Sequence, residues 1–185
     1  TDVTPVAQLF SEYILFAVRA DSPVKDGRDL VARLKQDPQS LSFGVTAIGG
    51  TSHMVAGQVL GKAGGDANRL KMVVFKGGGE VAVQLVGGHI DATVNNPIEA
   101  VAQWRAGALR PLCVFDDTRM PYKEKVTDTM SWADIPTCKE SGVPTDYVML
   151  RGIFMAPGVT PEQQAYYVDL MNKVRATPDW KEFME

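Results

Sequence analysis

The chain has 185 residues, 45% hydrophobic and 22% charged, a globular composition with room for one domain or one and a half and for a sizeable core. Its net charge of -3 is mild and its Lys and Arg are scattered, which argues against a nucleic-acid surface or a polybasic membrane patch. No apolar run approaches the roughly 18–20 residues of a membrane-spanning helix. Tyr13–Val18 is a compact apolar run that reads as a buried strand and leads into the turn Asp21-Ser22-Pro23. Asp26 is placed to cap a helix over Arg28–Gln36, with Leu30, Val31 and Leu34 inward and Pro38 forbidding continuation.

Leu41–Val45 reads as the next strand, and a turn containing Thr46, Gly49 and Gly50 follows it. Gly49 and Gly50 permit backbone angles closed to other residues, and Thr51 or Ser52 is expected to cap the helix that carries Val55, Ala56, Val59, Leu60 and Ala63 on one face. Unpaired amides and the positive end of the helix dipole make Gly50–His53 a candidate seat for a carboxylate. Neither of the usual nucleotide-loop patterns, Gly-x-x-x-x-Gly-Lys-[Ser/Thr] and Gly-x-Gly-x-x-Gly, occurs here.

The arrangement then repeats. Met72–Phe75 reads as a strand, Lys76-Gly77-Gly78-Gly79-Glu80 as a second ligand loop with Lys76 as its cation, and Val81, Ala82, Leu85 and Val86 as the inner face of a helix. After Gly87-Gly88, His89–Val94 reads as a strand ending at Asn95 and Asn96, the end at which open α/β sheets place their ligands. Asn95 is a candidate donor to ligand. Asn96-Pro97-Ile98-Glu99 is close to a capping box, with Asn96 capping a helix that stops at Gly107. Leu109–Phe115 is a strand that Pro111 places at a sheet edge. Asp116–Pro144 is long and irregular, with Trp132 as its anchor. Tyr147–Ala156 is extended and interrupted at Arg151-Gly152, and Thr160 and Gln163 form a capping box for a helix to about Arg175. A further helix opens at Thr177-Pro178 and ends barely two turns later, while Pro5–Phe10 shows no partner of its own. Both features are expected of a piece of a longer chain.

Cys113 lies in an apolar run and reads as a buried thiol, whereas Cys138 follows Pro136-Thr137 in a loop and reads as exposed. Two separate thiols are favoured over a bridge, which leaves the redox compartment undecided. The carboxylates are dispersed and the two histidines distant, so no metal site and no cofactor is expected.

Several motifs in this order resemble the tripartite tricarboxylate transporter receptors, the extracytoplasmic solute-binding proteins also called the Bug family. They are Gly44 with Gly49 and Thr51-Ser52-His53; Phe75-Lys76-Gly77-Gly78 with Leu85 and Gly87-Gly88-His89-Ile90-Asp91; Ala106–Leu112; Ile135-Pro136-Thr137 with Glu140-Ser141-Gly142; and Ala156–Pro161. The resemblance implies an α/β fold of the periplasmic-binding-protein type II kind, a mixed sheet flanked by helices, mostly the second of two domains plus part of the first. Residues 20–148 would be the ligand-binding second domain, and 1–19 and 149–185 the crossing strands and a truncated first domain. It also implies a periplasmic receptor, not an enzyme, that captures a small organic carboxylate and passes it to the membrane subunits of a tripartite transporter. Thr46, Gly49, Gly50, Thr51, Ser52, His53, Lys76, Gly77 and Asn95 are the ligand-binding candidates. The family's Ser, Gly, Ser/Thr and Tyr are replaced by Val45, Ala47, Gly50 and Phe75, which removes hydroxyls but keeps backbone donors. His53 is expected to pack behind the turn.

A second reading is the effector-binding domain of a transcription regulator of the same fold, which would need a DNA-binding region upstream. A third, an enzyme with Ser52 as nucleophile and His53 or His89 as base, lacks the Gly-x-Ser-x-Gly elbow and an acid partner. Pairing of two copies of the fragment is expected through the surface its missing portion would cover.

Overall fold

The elements run β1 (Thr4–Glu12), β2 (Leu15–Arg19), α1 (Gly27–Gln36), β3 (Ser42–Val45), α2 (Thr51–Lys62), β4 (Lys71–Val74) and α3 (Gly78–Val86). They continue as β5 (Ala92–Asn95), α4 (Pro97–Arg105), β6 (Leu109–Val114), β7 (Met149–Met155), α5 (Pro161–Ala176) and α6 (Pro178–Met184). Residues 2–143, 145 and 147–184 are described by this computed structural model; Pro144, the expected end of the irregular segment, lies outside them. Contacts divide the chain into two units, Tyr13–Met149 and Thr1–Glu12 with Leu150–Glu185. The division falls after Glu12, not after Arg19, because β2 is an inner strand of the larger unit's sheet.

That sheet has the order β4-β3-β5-β2-β6. β3 lies parallel to β4 and β5, and β2 is antiparallel to β5 and β6, so the sheet is mixed. Alternation along β2 sorts the core onto two faces. Ile14, Phe16 and Val18 pack with Leu30 and Leu34 of α1 and Val55, Ala56, Val59 and Leu60 of α2. Leu15 and Ala17 pack with Val81, Ala82 and Leu85 of α3 and Ala100 and Trp104 of α4. Two helices therefore cover each face, and every one of the β2 residues from Leu15 to Val18 is at most 2% exposed. β6, which carries Pro111, is an edge strand as its composition requires.

Local signals set the element ends. Asp26 accepts from Asp29 N–H at the start of α1, and Gly107 leaves α4 with φ 67°. The segment after β6 is held by Trp132 against Trp104, ring centroids 4.9 Å apart, and by a disulfide between Cys113 and Cys138. Both cysteines are fully buried. The exposed, unpaired Cys138 expected from its loop setting is thus corrected: the backbone of Cys138 donates to Val114 O, which turns the loop back against β6 and brings the sulfurs together.

The smaller unit holds a two-stranded sheet of β1 and β7 with α5 and α6. Pro5–Phe10 does have a partner, since β1 pairs with β7, and β7 runs without interruption through Arg151-Gly152. Thr160 and Gln163 complete both halves of their capping box. Gln164 Nε2 donates to Pro5 O at 2.8 Å, and Arg151 pairs with Glu12.

Candidate functional site

Three parallel strands, β4, β3 and β5, end on the same edge of the sheet, and each feeds a helix there. The first turns of α2, α3 and α4 are thereby gathered at the carboxyl ends of the strands, where open α/β sheets bind ligands. Three consecutive residues at the end of β5 tie this edge together. Val94 O accepts from Ser52 Oγ at 2.7 Å, Asn95 Nδ2 donates to Gly78 O at 3.1 Å, and Asn96 Nδ2 donates to Tyr13 O at 3.1 Å and to Met149 Sδ at 3.4 Å. Below them Thr93 Oγ1 donates to Gly44 O at 3.1 Å. Burial, with Asp116 nearby, pushes the Tyr13 phenol upward.

The turn after β3 is built on Gly49, whose φ of 80° suits glycine. Gly49 N–H donates to His53 Nδ1 at 2.8 Å and Gly50 N–H to Ala47 O at 3.2 Å, so these two amides are satisfied within the turn. The residue preceding α2 is Gly50, and no side chain caps the helix. Neither Thr51 nor Ser52 takes that role, because both lie inside the helix and Ser52 spends its hydroxyl on Val94 O. The first backbone bond of α2 is Met54 N–H to Gly50 O, which leaves the amides of Thr51, Ser52 and His53 as outward donors at the positive end of the dipole. Thr46 and Gly49 are exposed, and Gly50 to His53 half-buried.

α3 starts after Gly77, again without a side-chain cap. Lys76 N–H donates to Glu80 Oε2 at 2.9 Å, while the Lys76 side chain is exposed. Gly77 is half-buried. Asn95 is 4% exposed and its amide is committed to Gly78 O, so it supports the second loop from beneath. Asn96 precedes α4 but makes no side-chain cap, its amide being drawn to Tyr13 and Met149.

The sequence matches the family described as tripartite tricarboxylate transporter family receptor, TctC, over residues 1–185. The chain belongs to this family. BugT of Bordetella pertussis is 24% identical over 162 residues, 87% of this chain and 46% of that protein. A TctC solute-binding protein from Polaromonas superposes with a TM-score of 0.69 at 26% identity, covering 98% of this chain and 58% of its own. An R. palustris protein with adipate gives a TM-score of 0.71 at 25% identity, covering 97% and 56%. The chain spans about half the length of the curated relatives it matches.

Receptors of this family bind rather than convert their solutes, and the local geometry agrees. Ser52 Oγ is turned to Val94 O and His53 Nδ1 to Gly49 N–H, so the two make no nucleophile–base pair. His53 is tied to the turn through the bond that its Nδ1 accepts from Gly49 N–H. The structure brings the loop Thr46–His53 and the loop Lys76–Gly77 to one sheet edge and sets Asn95 below it. Sequence reading missed Val94, whose contribution is a backbone oxygen that accepts from Ser52 Oγ.

Proposed function

We propose that this chain is part of an extracytoplasmic receptor that takes a small organic carboxylate on the Thr51, Ser52 and His53 amides and delivers it to the membrane subunits of a tripartite transporter. In this reading Tyr13–Met149 corresponds to the receptor's second domain, and the smaller unit to part of its first. The uncapped first turn of α2, mounted at the carboxyl end of β3, is the observation that carries it. Lys76 adds a cation at the neighbouring loop, and Gly77 lets a ligand approach the backbone closely. Family membership and the adipate held by a relative at 25% identity support the ligand class. The buried Cys113–Cys138 disulfide supports a periplasmic setting, since such bridges persist in oxidising compartments.

Amide NMR of the chain titrated with butyrate, succinate and adipate tests the site. Shifts concentrated at Thr51, Ser52 and His53 are expected. A Gly50→Asp variant, which places its own carboxylate at the cap of those amides, should lose the shifts; its new Cβ meets Ala47 O at 3.2 Å and Ala47 Cβ at 3.3 Å, so a melting curve is read beside the titration. Shifts centred elsewhere, or none with any acid, overturn the assignment.

A further inference from the structure

A cleft of about 680 Å³ opens where α4 ends and β6 is about to begin. β5 and β6 both run antiparallel to β2, so Leu109, the first residue of β6, stands at the amino end of β5, the sheet edge opposite the helix starts. The volume falls within the roughly 300–1,000 Å³ of small-molecule sites. Arg105–Gly107 form one wall and Lys125–Thr129 the other. Both walls are fixed. Val126 N–H and Thr127 N–H donate to Met130 O at 2.8 and 3.1 Å, and Met130 N–H donates to Thr127 Oγ1 at 3.1 Å. Trp104, next to Arg105, packs on Trp132, whose neighbour Ser131 bridges Lys125, and this joins the two walls.

The charges in the cleft are unevenly engaged. Lys125 Nζ donates to Asp128 O at 3.0 Å and so serves the turn itself. Among the described residues, neither the Arg105 guanidinium nor the Asp128 carboxylate makes an ion pair or a side-chain hydrogen bond. The cleft thus presents one uncommitted cation and one uncommitted anion, with the hydroxyls of Thr127 and Thr129 beside the anion. A carboxylate in the lining disfavours a phosphate or a dicarboxylate. No aromatic ring lines either wall, so a nucleobase finds no stacking surface. A molecule carrying both an ammonium and a carboxylate complements the pair.

We propose that this cleft is a second binding site, for a small zwitterion whose carboxylate pairs with Arg105 and whose ammonium pairs with Asp128. A guanidinium takes a carboxylate through two parallel N–H donors, and Asp128 accepts from the ammonium. Both side chains are exposed, so either pairing alone is weak in water, and selectivity comes from making the two at once. A free amino acid and a dipeptide share this chemistry and differ in the spacing of their charges. The site is independent of the carboxylate reading of the α2 turn.

Chemical-shift titration of the chain with glycine and glycylglycine tests it, with acetate and methylammonium as the two half-ligands. At least one zwitterion should move the amides of Arg105–Gly107 and Lys125–Thr129, and each half-ligand should bind there about tenfold or more weakly. Arg105→Gln and Asp128→Asn should each weaken the zwitterion by a similar factor, while Lys123→Gln, exposed and outside the cleft, should leave it unchanged. Glycine in the lead names a free amino acid, glycylglycine a dipeptide. Neither zwitterion moving these amides, a half-ligand binding as tightly as the zwitterion, or an unchanged affinity in either cleft variant overturns the site. Shifts that acetate produces at Thr51–His53 report the other edge of the sheet and are read separately, so failure of the α2 site leaves this test intact.

Discussion

Asn95 Nδ2 donates to the carbonyl oxygen of Gly78 across 3.1 Å and so joins the last residue of β5 to the first residue of α3. Asn95 is 4% exposed, which leaves water no easy way to replace the bond. Asn95→Ala should cost about 1–3 kcal/mol in urea unfolding. Asn95→Asp should cost more, because it turns a donor into an acceptor facing a carbonyl. Equal stabilities for the two variants would remove this bond from the account of the second loop.

Gly44 is a glycine for reasons of space. A Cβ there would lie 2.4 Å from Ile90 Cδ1 and 2.6 Å from Val81 Cγ1, both on buried side chains. Gly44→Ala should destabilise by about 1–3 kcal/mol through overpacking. Adding Ile90→Val, which removes the nearer methyl, should return part of that loss; denaturation of the pair and each single variant measures the coupling.

Elements whose signals are local were legible. The apolar run at Leu15–Val18, the Asp26 cap, the Pro111 edge and the Thr160/Gln163 box each depend on a few neighbouring residues. The two glycine loops were legible for the same reason, and so was their position at strand ends. What was misread depends on distant partners. Ser52 looked like a cap, yet its hydroxyl finds a carbonyl 42 positions away, and Asn96 looked like a cap, yet its amide reaches Tyr13 and Met149. Pro5–Phe10 looked partnerless because β7, its partner, lies at the other end of the chain. Cys138 meets Cys113 only because the intervening loop folds back on β6, a course that no local pattern in that loop announces.

The disulfide closes a loop with a sequence separation of 25. In the chain-entropy account such a bridge contributes about 3–4 kcal/mol. Replacing both Cys113 and Cys138 with Ala should lower stability by about that much. The wild type in strong reductant should match the double variant. A reductant-insensitive midpoint in the wild type would show that the bridge is not formed in solution.

The same segment should be acid-labile. The Arg119 guanidinium holds the Glu140 carboxyl below the ordinary glutamate range, aided by the Thr137 N–H, which donates to Glu140 Oε2 at 2.7 Å. The Ser131 backbone N–H, then its hydroxyl, lowers Asp134 in the same way. A carboxyl depressed in the folded state stabilises fully above its unfolded value, and that contribution is lost as pH falls through the folded value. Both groups are exposed, so the effect is local. Near-ultraviolet dichroism of the Trp104–Trp132 pair, followed from about pH 5 to pH 1, should report loosening of this segment on the acid side. Glu140→Gln keeps the shape but carries no negative charge opposite Arg119 and only one acceptor oxygen in place of two, so it should start looser and show a flatter acid response. An acid transition identical in wild type and Glu140→Gln would assign it to other carboxylates.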